Sequence, residues 1–135
     1  MKGTIVSLQI EDFEGLHEAN SISTLESLLM KRHKDESNSF WLSHGSKRHP
    51  SLALLVKGEL AGLHYFPEES HPGFVPAGNI AGLTSGKTTT FYMDDGGEVV
   101  QVVNDAIVPF SAALVVAKEF FFSEAMPKAI KWVEL

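Results

Sequence analysis

Histidine is the side chain best suited to moving protons or holding a metal near neutral pH. This sequence has six: His17, His33, His44, His49, His64 and His71. Zinc sites draw paired rings from one helix or short loop, as in H-x-x-x-H or H-E-x-x-H, and neither pattern occurs; the step from His64 to His71 crosses a proline-containing loop. No metal and no cofactor are expected. His64 or His71 with Glu68 or Glu69 supplies the one plausible acid–base set for a small enzyme, and that reading requires the side chains to converge in a pocket. Ser85, in "GLTSGKTTT", lacks a G-x-S-x-G elbow. The same stretch resembles the end of a phosphate loop, yet Ala81 stands where the first glycine belongs and a strand, not a helix, is expected next. With no cysteine, thiolate metal sites, disulfides and cysteine nucleophiles are excluded.

Recognition is the chemistry that remains. Two acidic tips stand out, Glu68 with Glu69 and Asp94, Asp95 with Glu98, and His71, Phe74 and Tyr92 lie beside them. At Gly-rich turns such carboxylates are solvated and poorly held for catalysis, but they can steer a basic partner. Phe74, in the loop "HPGF", either anchors in that partner or tucks back onto its own sheet. A platform of Phe74, Phe91 and Tyr92 would instead suit single-stranded nucleic acid, given a groove of Lys and Arg around it. The charge distribution favours a protein: residues 1–30 carry net −4, residues 31–49 net +3 and the remainder net −5. Phosphates are repelled over most of such a surface, so no nucleic acid partner is expected.

These residues must be positioned by a chain of 135 residues, near the usual size of one domain, so residues 1–135 are read as a single domain. The start, "MKGTIVSLQIEDFEG", fits neither a signal peptide nor a membrane span. A cytoplasmic protein, monomeric or weakly dimeric when free, is expected. Residues 4–10 read as a strand. Ser23 and Glu26 match a capping box and predict a helix over residues 24–34, with Leu25, Leu28 and Leu29 on one face and a basic cluster, Lys31 to Lys34, at its end. "SFWLSH" reads as a strand and "GSKRHP" as a loop. "PSLALLVKGELAGLHYF" reads as a hairpin turning at Lys57-Gly58; both faces are apolar, which suits a central strand pair, with Ala53 and Gly62 allowing a helix to approach. A second hairpin turns at Asp95-Gly96, and Pro109 opens an apolar helix reaching Phe122. "AIKWVEL" closes the chain as a strand with Ile130 and Trp132 on one face. Trp41 and Trp132, in apolar strands, are read as core. The order β-α-β-β-β-β-β-α-β gives an α+β fold: a mainly antiparallel sheet of six or seven strands with two helices packed on it.

From residue 50 to residue 132, the runs "PSLALLVKGELAGLHYF", "PGFVPAGN", "TTFYM", "VPFSAALVVAKEFF" and "MPKAIKW" resemble the type-one immunity proteins of bacterial polymorphic toxin and contact-dependent inhibition systems. The N-terminal third is similar only in placing a helix and a strand before the hairpin. Members often have a glycine shortly before the final proline, whereas "SEAMP" has none, so Ser123 or Glu124 must end the helix. The resemblance implies a non-enzymatic inhibitor that covers a cognate toxin domain, often a deaminase or nuclease. Glu68, Glu69, His71, Phe74, Tyr92, Asp94, Asp95 and Glu98 are then the candidate toxin-binding residues.

Overall fold

A computed structural model describes residues 7–94 and 97–135. All pairings are antiparallel. The chain opens with strands β1 (Leu8–Asp12) and β2 (Gly15–Ala19), then helix α1 (Ile22–Leu29). Strands β3 (Ser37–His44), β4 (Ser51–Lys57) and β5 (Leu60–Phe66) form a meander. Strands β6 (Phe74–Pro76), β7 (Thr88–Tyr92), β8 (Val99–Val103) and β9 (Ile107–Pro109) lead into helix α2 (Phe110–Phe122), and β10 (Trp132–Glu134) follows. Eight strands make one sheet, ordered β10-β6-β5-β4-β3-β1-β2, with β9 also on β5; β7 and β8 pair only with each other. The α+β fold with two helices is thus observed, with more strands than the sequence suggested.

Both helices cover the same face. Alternation along each strand sends Leu8, Ile10, Phe40, Leu42, Leu52, Leu54, Val56, Ala61, Leu63 and Tyr65 into one core with Leu25, Leu28, Leu29, Ala113, Val116, Ala117, Phe120 and Phe121 of the helices. Lys118 of α2 pairs with Glu26 of α1 at 3.0 Å, joining the helices outside that core. The opposite face carries the β7–β8 hairpin over part of its area. This makes three layers: helices, sheet and hairpin.

Several local expectations shift. Helix α1 is capped by Ser21, whose hydroxyl accepts from the Thr24 N–H, not by Ser23, and it ends at Leu29. The basic cluster therefore lies beyond the helix, although Arg32 Nη1 still donates to the Leu29 carbonyl at 2.7 Å. The first hairpin turns at Gly58-Glu59, because Gly58 takes the left-handed position at φ 59°; Leu54 consequently pairs with Leu63 instead of Ala61. A shift of two residues along one strand leaves the faces unchanged. Gly62 receives a strand side chain, not a helix: a Cβ there would lie 3.5 Å from Val102. The second hairpin has the register that a turn at Asp95-Gly96 requires, Tyr92 opposite Val99, and those two turn residues lie outside the described ones. The expected strand over residues 4–10 begins at Leu8 among the described residues. Helix α2 ends at Ser123 without a glycine, as "SEAMP" demands.

Candidate partner-binding surface

Register places Trp41 of β3 beside Ala53 of β4, and Ala53 beside His64 of β5, all on the face away from the helices. The small Ala53 leaves room for rings to lie across it. Trp41 stacks on Phe66 with centroids 5.5 Å apart and planes 14° apart, and Phe66 stacks on His64 at 3.9 Å and 9°. His64 Nε2 lies 2.8 Å from the Pro72 carbonyl; since a carbonyl only accepts, that nitrogen carries the proton. Gly73 is required behind it, because any Cβ there would overlap His64 Nε2 and the residue sits at φ +99°. The stack is thus braced from the loop. Its outer member, Trp41, is 41% exposed, which overturns the reading of Trp41 as core. Trp132 is half-buried against the core, its indole donating to the Pro127 carbonyl at 2.7 Å.

The β7–β8 hairpin walls one side of this stack. Phe91 is fully buried beneath it, the Ser39 hydroxyl donates to the Met93 carbonyl at 3.1 Å, and Lys57 Nζ donates to the Thr90 carbonyl at 3.4 Å. At its base, Asn104 accepts from the Thr89 hydroxyl at 2.6 Å and donates to the Thr84 carbonyl at 2.8 Å. Between hairpin and sheet runs an apolar groove of about 490 Å³, lined by Trp41, Leu55, Phe66, Val75, Met93 and Val102 among others. On the other side of Trp41 lies a polar hollow of about 330 Å³ with Glu11, Ser43, Arg48 and Ser51 on its walls. Glu11 stands opposite Trp41 across β1 and β3. Glu11, Arg48 and Glu98 make no ion pair among the described residues.

The expected site residues divide between regions. Asp94 and Glu98 are exposed at the hairpin tip, where Asp94 Oδ1 accepts from the Glu98 N–H at 3.2 Å, and Asp95 lies outside the described residues. Tyr92 is half-buried with Lys57 Nζ 5.8 Å from its ring centre. Glu68 and Glu69 are exposed on the loop just after Phe66. His71 faces elsewhere: its Nε2 meets Glu134 at 2.6 Å, its Nδ1 accepts from the Gly73 N–H at 2.8 Å, and its ring stacks on Phe74. Phe74 is half-buried against the core, with its ring 6.4 Å from Tyr65. The two alternatives lose their geometry. His64 and His71 bond to Pro72 and Glu134, not to Glu68 or Glu69. Phe91 is buried and Phe74 packs on the helix side, so no common stacking platform forms with Tyr92. Ser85 bonds to Asp105, and β7, a strand, follows "GLTSGKT".

One cluster could present metal donors: atoms of Asp12, Glu14 and His17 lie within 4.8 Å of one another. Asp12 Oδ1 is already engaged by the Glu14 and Gly15 N–H groups and by His17 Nε2 at 3.0 Å, so it closes the β1–β2 turn. Nearby Asn38 is buried and knits three segments: it accepts from Phe13 and Ser39 N–H groups and donates to the Lys31 carbonyl. On the helix side, burial pulls the Arg32 guanidinium down from its ordinary range, against the opposing pull of Glu36 and Glu59, as it sits 4.4 Å over the Phe110 ring centre. Burial, and then Glu124, pushes the Tyr65 phenol up; its hydroxyl donates to the Glu124 carbonyl at 2.8 Å.

Sequence reasoning missed Trp41 and Phe66. The signal was present in "SFWLSH", where Phe40 and Leu42 alternate with Ser39, Trp41 and Ser43; period-two reading puts Trp41 on the serine face. No helix among the described residues is long and apolar enough to cross a membrane. No protein-family model matches the chain. Over 125 residues the chain is 30% identical to the double-stranded DNA deaminase immunity protein of Burkholderia cenocepacia, a match spanning 93% of this chain and 98% of that protein. With that likeness extending over 93% of its length, the chain belongs to the toxin-immunity protein family that includes the Burkholderia protein.

Proposed function

We propose that this immunity protein acts in the cytoplasm as a single-domain inhibitor, monomeric or weakly dimeric when free, that binds a cognate DNA-deaminase toxin domain and blocks it by covering its substrate cleft. The observation that carries the reading is that the chain is 30% identical along 93% of its length to a protein named for immunity to a DNA deaminase, with one sheet face left partly open by the helices and the hairpin. A toxin that handles DNA must present cations to phosphates. An inhibitor with net charge −6 is drawn to such a surface and screens it without chemistry of its own. Asp94 and Glu98 at the hairpin tip, with Asp95 next to Asp94 in the sequence and Glu68 and Glu69 beyond Phe66, form the charged rim of the interface; His71 and Phe74 support the loop behind it, and Tyr92 supports the hairpin. The partner is the toxin and not DNA itself, and the system is of the polymorphic, contact-dependent kind.

The test mixes the purified protein with the product of the adjacent upstream gene and follows deamination of duplex DNA. One equivalent should abolish turnover, with the two proteins co-eluting as a complex. Full activity in the presence of excess protein would overturn the reading.

A further inference from the structure

Aromatic pairs in proteins meet offset-stacked or edge-to-face. The open face uses the first arrangement and leaves one end of the stack uncovered. Trp41, Phe66 and His64 lie in near-parallel planes, 14° and 9° apart, braced by the Pro72 carbonyl and by the absence of a side chain at Gly73. Stacking flattens the rings against one another and leaves Trp41 41% exposed between an apolar groove and a polar hollow. Charges of both signs surround it: Glu11 stands directly opposite on β1, Lys47, Arg48 and His49 line the same hollow, and Asp94 and Glu98 lie farther off on the hairpin tip, which Ser39, two residues from Trp41, ties to the same strand. A planar ring at the exposed end of a stack has the shape of an unstacked base.

We infer that Trp41 is the anchor of the interface, entering the toxin's cleft as a planar ring where a nucleobase is held, while Glu11 and the hairpin-tip carboxylates meet cations that otherwise bind phosphates. The occupant of this face is therefore a protein with a cationic cleft shaped for a flat ring. Enzymes that act on bases in DNA take the base out of the stack into such a pocket and hold it between apolar or aromatic walls. The inference rests on the deaminase reading above, since another class of toxin would have no base pocket. A rigid aromatic anchor loses little conformational freedom on binding, which suits a tight inhibitor.

The experiment measures association and dissociation rates of the product of the adjacent upstream gene with wild type, Trp41→Ala, Trp41→Leu and Trp41→Phe. Thermal unfolding of each variant checks that the fold is kept. Trp41→Ala and Trp41→Leu should each weaken binding about 100-fold, mainly through faster dissociation, whereas Trp41→Phe, which keeps a flat ring, should stay within about 10-fold of wild type. Equal binding by the Leu and Phe variants would overturn the base-like role, leaving only an apolar contact. Unchanged affinity in Trp41→Ala would place the anchor elsewhere, with the deaminase reading intact. If wild type itself fails to bind, that reading falls and this inference falls with it. A wild-type dimer that Trp41→Ala converts to monomer would give the face to a second copy and overturn the inference.

Discussion

His64, Tyr65 and Phe66 are consecutive on β5, yet they belong to two different worlds. Tyr65 turns to the helix side, 5% exposed, with Phe120 edge-on at 80° and Trp132 and Phe74 tilted around it. His64 and Phe66 turn to the open side and stack almost flat with Trp41. One side fills volume; the other presents an area. The difference lies in what closes each face. Two helices close the first, so the rings around Tyr65 settle into whatever tilt removes voids, and a flat pair, His71 on Phe74, occurs only at the margin of that core. Only a hairpin of two short strands covers part of the second, and the unclosed remainder keeps a flat aromatic end.

If this contrast is real, truncation should separate the faces most sharply. Phe120→Ala on the covered side should cost about 3–5 kcal/mol in denaturant unfolding, while Trp41→Ala should cost under about 1 kcal/mol. Equal losses would erase the distinction. Asn38 tests whether the β1–β2 corner is part of the covered side's framework. Its replacement by Leu strands the buried groups it serves and should cost about 1–3 kcal/mol, read by the same unfolding curves. Tyr65 gives a smaller effect. Tyr65→Phe should cost about 1 kcal/mol at neutral pH through the lost bond to Glu124. Because the folded state holds the Tyr65 phenol above its ordinary pKa of about 10, the unfolded chain ionises first. Its contribution is complete below that value and is lost as pH rises through the higher folded pKa. Alkaline unfolding of wild type should therefore steepen above about pH 10 relative to Tyr65→Phe. The smallest stability effect belongs to the open side: Asp94→Lys with Glu98→Lys should shift unfolding by less than about 0.5 kcal/mol. The same pair should slow association with the deaminase domain and flatten its salt dependence.

Much of the covered side was legible in the sequence, because burial writes a periodic pattern. Leu25, Leu28 and Leu29 marked α1; the run opened by Pro109 marked α2 to within a residue; the apolar faces of "SLALLVK" and "LAGLHYF" marked the centre of the sheet. What was lost depends on pairing between distant segments. Strands β6 and β9 are three residues each, too short for a local signal, and they exist because β5 and, for β6, the closing strand β10 offer free backbone groups; β10 itself was legible in "AIKWVEL". The β1–β2 hairpin was hidden because "GLHEA" lacks strand-forming residues, and its turn is closed by the Asp12 carboxylate. The candidate surface was half legible. Acidic tips are visible in composition, but a ring stack assembled from β3 and β5 over Ala53 appears only when three strands are in register.

The helical cover comes late in the chain. The meander β3–β4–β5 is complete by Phe66, but α2, which seals its apolar side, ends at Phe122. At ribosomal speeds of roughly 5–20 residues per second, the intervening chain takes about 3–11 s to emerge. During that interval the nascent sheet offers its bare leucines to any chaperone or neighbouring ribosome. A cell making this immunity protein therefore has a window of seconds in which the residues of the open face have been synthesised before the helix that backs them.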